Sequence, residues 1–295
     1  MRILLTGKNG QVGGELNKIL TPFGEVTATG RNEMDLSDPD QICHTVREVN
    51  PELIINAGAY TAVDKAESEP ELALAVNGIA PGILAKEAKK LGAVLIHYST
   101  DYAYNGEMRS SPYTETDSPA PISVYGKTKL VGDLAIEKSG VSYLIFRTSW
   151  VYGLEGKSFL GTILRLAKER DELSVVDDQL GTPTWCRSIA TATGGIIKQL
   201  ADKSDGSLSE TVSGLSGVYH MTCGGQTSWH GFAQVILERT APDPMPRLKA
   251  IPTTDHPTPA VRPAYSVLSN AKLHETFGIE LPLWEDALKQ CLNAT

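Results

Sequence analysis

Short apolar runs alternate with amphipathic stretches along the first half of the chain. Residues 3–6, 26–28, 53–56, 94–98 and 143–146 form compact apolar segments, the pattern of strands buried on both faces. Between them the spacing turns helical. Leu16, Ile19 and Leu20 recur on one face behind a glycine-rich turn, and another helix begins near Val124. Residues 71–91 read as a helix whose late lysines, Lys86, Lys89 and Lys90, suit the dipole of a C-terminus and which Gly92 ends. Strand, helix and strand in this rhythm make the βαβ unit of a parallel sheet covered by helices.

After Trp150 the pattern changes. Residues 159–169 and 189–200 read as helices, separated by a proline-interrupted loop around Pro183. Residues 205–217, DGSLSETVSGLSG, have the composition of an exposed surface loop. Seven prolines between Pro242 and Pro263 predict a segment without regular structure, ordered by packing or by a ligand. The expected architecture is α/β. Residues 1–150 form a Rossmann-like doubly wound parallel sheet, and residues 151–295 form a smaller, mixed substrate domain. Part of 186–220 is expected to return to the first domain, with a cleft between the two.

A chain of 295 residues, 41% hydrophobic and 21% charged, can bury a full core and is not disordered. Its formal net charge of -8 argues against a nucleic-acid partner. Cys43, Cys186, Cys223 and Cys291 are widely spaced and show no zinc-binding pattern, so free thiols in a reducing compartment are expected. No apolar run has the length of a membrane span, and the chain opens on a strand and a glycine turn. These features predict a cytoplasmic protein without a membrane partner.

Gly7, Gly10 and Gly13 form GxxGxxG between the first strand and the first helix. Without Cβ atoms the backbone can turn tightly there and approach a pyrophosphate, which the free N–H groups of the helix N-terminus neutralise. At the end of the second strand the chain reads VTATGRNEMDL, with no carboxylate where one would hold the adenosine ribose. Arg31 is placed to pair with a 2'-phosphate, which favours NADPH over NADH. Asp35, on a long loop, can swing toward the adenosine and keeps NADH as the alternative.

Tyr125 and Lys129, in YGKTK, share one face of a helix. An ammonium beside a phenol stabilises phenolate, so Tyr125 can donate a proton to a ketone oxygen and recover it, while Lys129 holds the nicotinamide ribose. Ser99, Thr100 and Asp101 follow the apolar run that ends at Tyr98, at the strand end where such sheets bind ligands. A hydroxyl there can hold the same ketone oxygen. Trp150 falls at the ligand edge after the run 143–146, and its flat ring suits the apolar face of a sugar. Arg262 is a candidate for a diphosphate, whereas His97 and His220 lie in apolar runs and read as satisfied core residues.

GxxGxxG, NAGAYTAVDKAE, AVNG, YSTD and YGKTK, in this order, resemble the extended short-chain dehydrogenase/reductase family. STDYAYNG, ETD at 115–117, YGKTKLVGD, RTSWVYG, DDQLGTPT and HPTPAVRP narrow the resemblance to members that reduce a 4-keto-6-deoxy sugar carried on dTDP. The resemblance implies a catalytic triad of Thr100, Tyr125 and Lys129. It implies a cofactor site lined by Gln11, Val12, Asp35, Leu36, Ala57, Ala59 and Thr61, and substrate contacts from Asp101 and Trp150. Asn77, in AVNG, matches a helix asparagine that props the site. Some relatives hold Mg at a dimer interface through a glutamate that Glu15 matches, which implies a weak metal candidate and a homodimer. Gly58 and Tyr60 depart from the family's usual Ala and His. Two alternatives stay open at this point: a reductase for a different dTDP-4-keto-6-deoxyhexose, and a non-catalytic nucleotide-binding regulatory subunit.

Overall fold

The computed structural model describes residues 1–294. Strands β1 (Arg2–Thr6), β2 (Glu25–Thr29), β3 (Leu53–Asn56), β4 (Val94–Thr100), β5 (Ser142–Thr148) and β6 (Gly217–His220) pair in parallel in the order β6-β5-β4-β3-β1-β2. The connections run outward in opposite directions from β1 and β3. Their carboxyl ends therefore flank the point where a ligand crevice opens.

Both faces of the sheet are covered, which explains the continuous apolar runs. Helices α1 (Gln11–Ile19) and α6 (Cys186–Lys203) bury one face against Ile3, Leu5, Ile55, Ile96 and Phe146. On the other face, α2 (Pro39–Val49), α3 (Ala80–Leu91) and α4 (Val124–Ser139) bury Leu4, Ile54, Leu95 and Ile145. Their ends follow local chemistry. Asp38 caps α2 by accepting from the amides of Asp40 and Gln41, Ser123 caps α4 through the Gly126 amide, and Gly92 and Gly140 close α3 and α4 in left-handed conformation. Thus α6 and β6, from the second half of the chain, complete the layers around the sheet.

The remaining chain forms a second apolar cluster around Tyr152, Phe232, Trp284 and Cys291. It is built from α5 (Phe159–Glu169), α7 (Trp229–Thr240) and α8 (Trp284–Leu292), with short two-stranded pairings.

Four expectations need correction. The proline-rich segment contains a strand, Arg247–Ile251, paired in parallel with Glu172–Val176. Between Pro246 and Pro252 every residue keeps its N–H, so the prolines bound the strand without breaking it. Residues 205–217 contain the helix Leu208–Ser213, whose Ser207 cap accepts from the Glu210 amide. The sequence Ser-x-x-Glu there is a helix start. The helix expected over 71–91 begins at Pro70 and passes through a π turn, Ala75–Ile79, before α3. Finally, β4 runs two residues past Tyr98, so Ser99 and Thr100 belong to the strand.

The π turn packs so closely on α4 that a methyl group at Gly132 would overlap the Asn77 carbonyl oxygen. We therefore expect Gly132→Ala to lower unfolding free energy by about 1–3 kcal/mol, as overpacked cores do. Urea denaturation checks this, and an unchanged midpoint would show that α4 can shift freely.

Candidate active site

A single cavity of about 1350 Å³ opens over the carboxyl ends of β1, β3, β4 and β5. A small-molecule site usually occupies about 300–1,000 Å³, so there is room for a cofactor and a second ligand together. Its walls include Gly7, Gly10, Gln11, Val12, Arg31, Asp35, Leu36, Ala57, Ala59 and Thr61 on the nucleotide side. Thr100, Asp101, Tyr125, Lys129, Trp150 and Arg262 line the same space. Gly13 lies behind the wall, where a side chain would collide with the Gly7 carbonyl.

The glycine turn is shaped for an anion. Helix α1 starts at Gly10 with no side-chain cap and no acid in its first turn, which leaves the dipole of its N-terminus to a ligand. Gly7 adopts φ +73°, and a Cβ there would stand 2.6 Å from the Gly58 amide nitrogen. Arg31 is exposed on the cavity rim. Asp35 accepts from both the amide and the hydroxyl of Ser37, at 2.8 Å each, which holds its carboxyl below the usual range. These residues fit a dinucleotide.

At the floor, the Thr100 hydroxyl lies beside the Tyr125 phenol. Thr100 Oγ1 also donates to Asp101 and accepts from the Tyr102 amide, both at 3.1 Å. Ser99 donates to Asp133 at 2.9 Å. Of the two hydroxyls at the strand end, Ser99 is thus engaged by Asp133 and Thr100 is the one beside Tyr125. Burial pushes the Asp101 carboxyl up to about 7.

The Tyr125 phenol is pushed above its ordinary value, chiefly by burial, which the neighbouring Thr100 hydroxyl opposes. This differs from the expected lowering by Lys129. That ammonium is turned under the strand, where Nζ donates to the Tyr98 carbonyl at 2.6 Å and lies 3.2 Å from His97 Nε2. Asn77 brackets the neighbouring loop: its side chain accepts from the Tyr60 amide at 2.8 Å and donates to the Tyr60 carbonyl at 3.0 Å. The π turn is what aims it there. Gly58, one of the family departures, leaves space that Leu36 Cδ1 fills.

Trp150 adopts φ +45° and stacks on Trp229, with ring centroids 3.5 Å apart and planes 6° from parallel. Arg262 is bound to Asp64 at 2.7 Å across the cavity mouth, with Tyr102 Oη 3.4 Å away. Sequence reasoning missed Trp229, Asp64 and the segment 154–158, which Gln11 holds over the glycine turn through the Lys157 carbonyl at 2.8 Å. The only local signal for Trp229 was its place after the capping Ser228 in TSWHG.

Glu15 does not fit a metal. Its Oε1 accepts from Lys18 at 2.8 Å and its Oε2 from Arg187 at 2.7 Å, so two cations already engage both oxygens. Among the described residues no group of His, Cys, Asp and Glu is arranged to hold an ion.

A doubly wound sheet with a glycine turn at its switch point, and a Tyr and Lys one helical turn apart beside it, defines a dinucleotide-binding protein of the short-chain dehydrogenase/reductase type. The chain matches the RmlD substrate binding domain family over residues 1–295 and belongs to it. It is 48% identical to a dTDP-4-dehydrorhamnose reductase of Burkholderia thailandensis over 99% of this chain and 98% of that protein. It is 43% identical to the Escherichia coli K12 protein of the same name over 99% and 97%. A crystal structure of dTDP-4-dehydrorhamnose reductase from Bacillus anthracis in complex with NADP superposes with a TM-score of 0.90 at 33% identity, covering 100% of this chain and 99% of that one.

Because Glu15 is already neutralised, neither added Mg nor a chelator should change the melting temperature or turnover. A loss of either in chelator would place a cation elsewhere in the molecule.

Proposed function

We propose that this protein reduces the C4 keto group of dTDP-4-dehydro-L-rhamnose to give dTDP-L-rhamnose, with NADPH as the reductant, in deoxysugar nucleotide synthesis for surface polysaccharide. The observation that carries the reading is full-length similarity to reductases of that name in a chain whose Thr100, Tyr125 and Lys129 line one cavity with the glycine turn. The retained triad also favours an enzyme over a non-catalytic nucleotide-binding subunit. Free cysteines, and the lack of a helix among the described residues that could cross a membrane, agree with a cytoplasmic setting.

NADPH supplies a hydride when bound. Gly7, Gly10, Gln11 and Val12 would receive its pyrophosphate, Arg31 its 2'-phosphate, and Ala57, Ala59 and Thr61 the chain between adenosine and nicotinamide. Asp35 and Leu36 would border the adenosine. Tyr125 gives its phenolic proton to the ketone oxygen, Thr100 holds that oxygen by hydrogen bonding, and Lys129 stabilises the phenolate and the nicotinamide ribose. Asp101 and Trp150 would orient the sugar, and Arg262 would leave Asp64 to meet the diphosphate.

Product analysis after incubation with the dTDP-keto sugar and NADPH tests the reaction, and formation of the C4 epimer would redirect the assignment to another deoxyhexose. Tyr125→Phe keeps the ring and removes the proton donor. Its turnover should fall at least about 100-fold while NADPH binding is nearly retained, and near-normal turnover would remove Tyr125 from its role.

Arg31→Asp replaces the 2'-phosphate partner with a ribose acceptor. The NADPH to NADH ratio of kcat/KM should drop about tenfold or more, in line with the loss of a charge-assisted hydrogen bond. An unchanged ratio would assign the choice to Asp35 or to backbone contacts.

A further inference from the structure

Behind Lys129 lies a cluster of polar side chains cut off from solvent. Lys129 is 2% exposed, and Asn56, His97 and Asp133 are fully buried. In such a place every proton must have an acceptor, so the hydrogen-bond pattern fixes where the protons are.

The deduction starts at a group that cannot reverse. The Gly58 backbone N–H donates to Thr6 Oγ1 at 3.0 Å. The Thr6 hydroxyl passes its own proton to Asn56 Oδ1 at 2.7 Å. If Asn56 were turned around, its NH2 would point at Thr6, and the hydroxyl proton would lose this acceptor. With Asn56 so oriented, its NH2 donates to His97 Nδ1 at 3.0 Å, which leaves Nδ1 bare. Burial holds the imidazole well below its ordinary pKa, with the nearby Lys129 charge acting the same way. A neutral imidazole with a bare Nδ1 carries its single proton on Nε2.

That Nε2–H points at two groups. Lys129 Nζ is 3.2 Å away, and Asp133 Oδ1, a buried carboxylate oxygen with no hydrogen-bond partner, is 3.9 Å away. Asp133 Oδ2 is fully engaged by Ser99 and by Arg147 Nε and Nη2. An amine with a free lone pair can accept the His97 proton, whereas an ammonium meets it donor to donor.

We propose that His97 is a positioning residue that sets how much of Lys129 is ammonium, because the chain Gly58, Thr6 and Asn56 fixes the imidazole proton on Nε2 facing the amine. The proposal rests on the reading of Tyr125 and Lys129 as reductase machinery and names a residue that tunes it. Burial draws the Lys129 amine down to about 8, and Asp133 pulls the other way. The other groups around the lysine are the Tyr98 carbonyl on β4, Tyr125 on its own helix and Arg147 on β5, which is paired to Asp133. His97 thus weights the balance toward the amine, and the lysine changes charge near neutral pH.

Three measurements on the whole enzyme test this. Nitrogen-15 histidine spectra of the wild type should show His97 protonated at Nε2, and protonation at Nδ1 would overturn the proposal without any mutation. His97→Gln offers an acceptor to Lys129 in place of the donor. In that variant the titration of the Lys129 ε-carbon, followed by carbon-13 NMR, should move up by about one pH unit. The alkaline limb of kcat should move up with it. A variant that only loses melting temperature and turnover, with both titrations where the wild type has them, would make His97 a packing residue and sink the idea. If wild-type enzyme fails to turn over the dTDP-keto sugar, the reductase reading falls, while the nitrogen-15 spectra and the Lys129 carbon-13 titration still decide the role of His97.

Discussion

One wall of the cavity depends on the close approach of two pieces of backbone, the turn after β1 and the turn after β3. Gly7 lies against Gly58 with no space for a side chain between them, and Gly13 lies against Gly7 in the same way. This contact draws the start of α1 down onto the switch point of the sheet, so that its uncapped N-terminus opens into the cavity. It also delivers the Gly58 N–H to Thr6, the first link in the hydrogen-bond chain that ends at Lys129. The uncapped start of α1 and the buried surroundings of Lys129 share one geometric cause.

Desolvation does the chemical work around that contact. Tyr125 is raised and Lys129 lowered chiefly because both are buried. Each shift moves its group toward the neutral form. Arg147 and Asp133 compensate one another one layer down, with the Arg147 guanidinium also donating to Tyr104, which meets His220 at 2.7 Å. The ionic groups are kept next to the site and out of it.

The sequence revealed what depends on local spacing. The strands of the sheet, the glycine turn and the Tyr125 and Lys129 pair are each written within a few residues, and periodicity or motif suffices to read them. Composition misled where a residue's usual role differed from its actual one. Ser207 and Glu210 looked like loop polarity but start a helix, and Pro246 and Pro252 looked like breakers but frame a strand. Contacts between distant positions left no local trace. Nothing near Trp229 announces that it covers Trp150, and Asp64 gives no sign of its bond to Arg262, which is 198 residues away. His97 was legible as a buried histidine, but its neighbour Lys129 is brought to it only by the packing of α4 on β4.

The return of α6 and β6 to the sheet has a consequence for how the protein is made. When the first 150 residues have left the ribosome, β5 has an open edge, because its outer neighbour begins only at Gly217. One face of the sheet also lacks the helix that ends at Lys203. A nascent chain in that condition exposes apolar surface and an unpaired strand, the combination that invites association with other chains. The sheet can close only after about seventy further residues are synthesised, several seconds at ordinary rates of translation. Through that interval the half-built fold has to be protected by the speed of elongation or by chaperones.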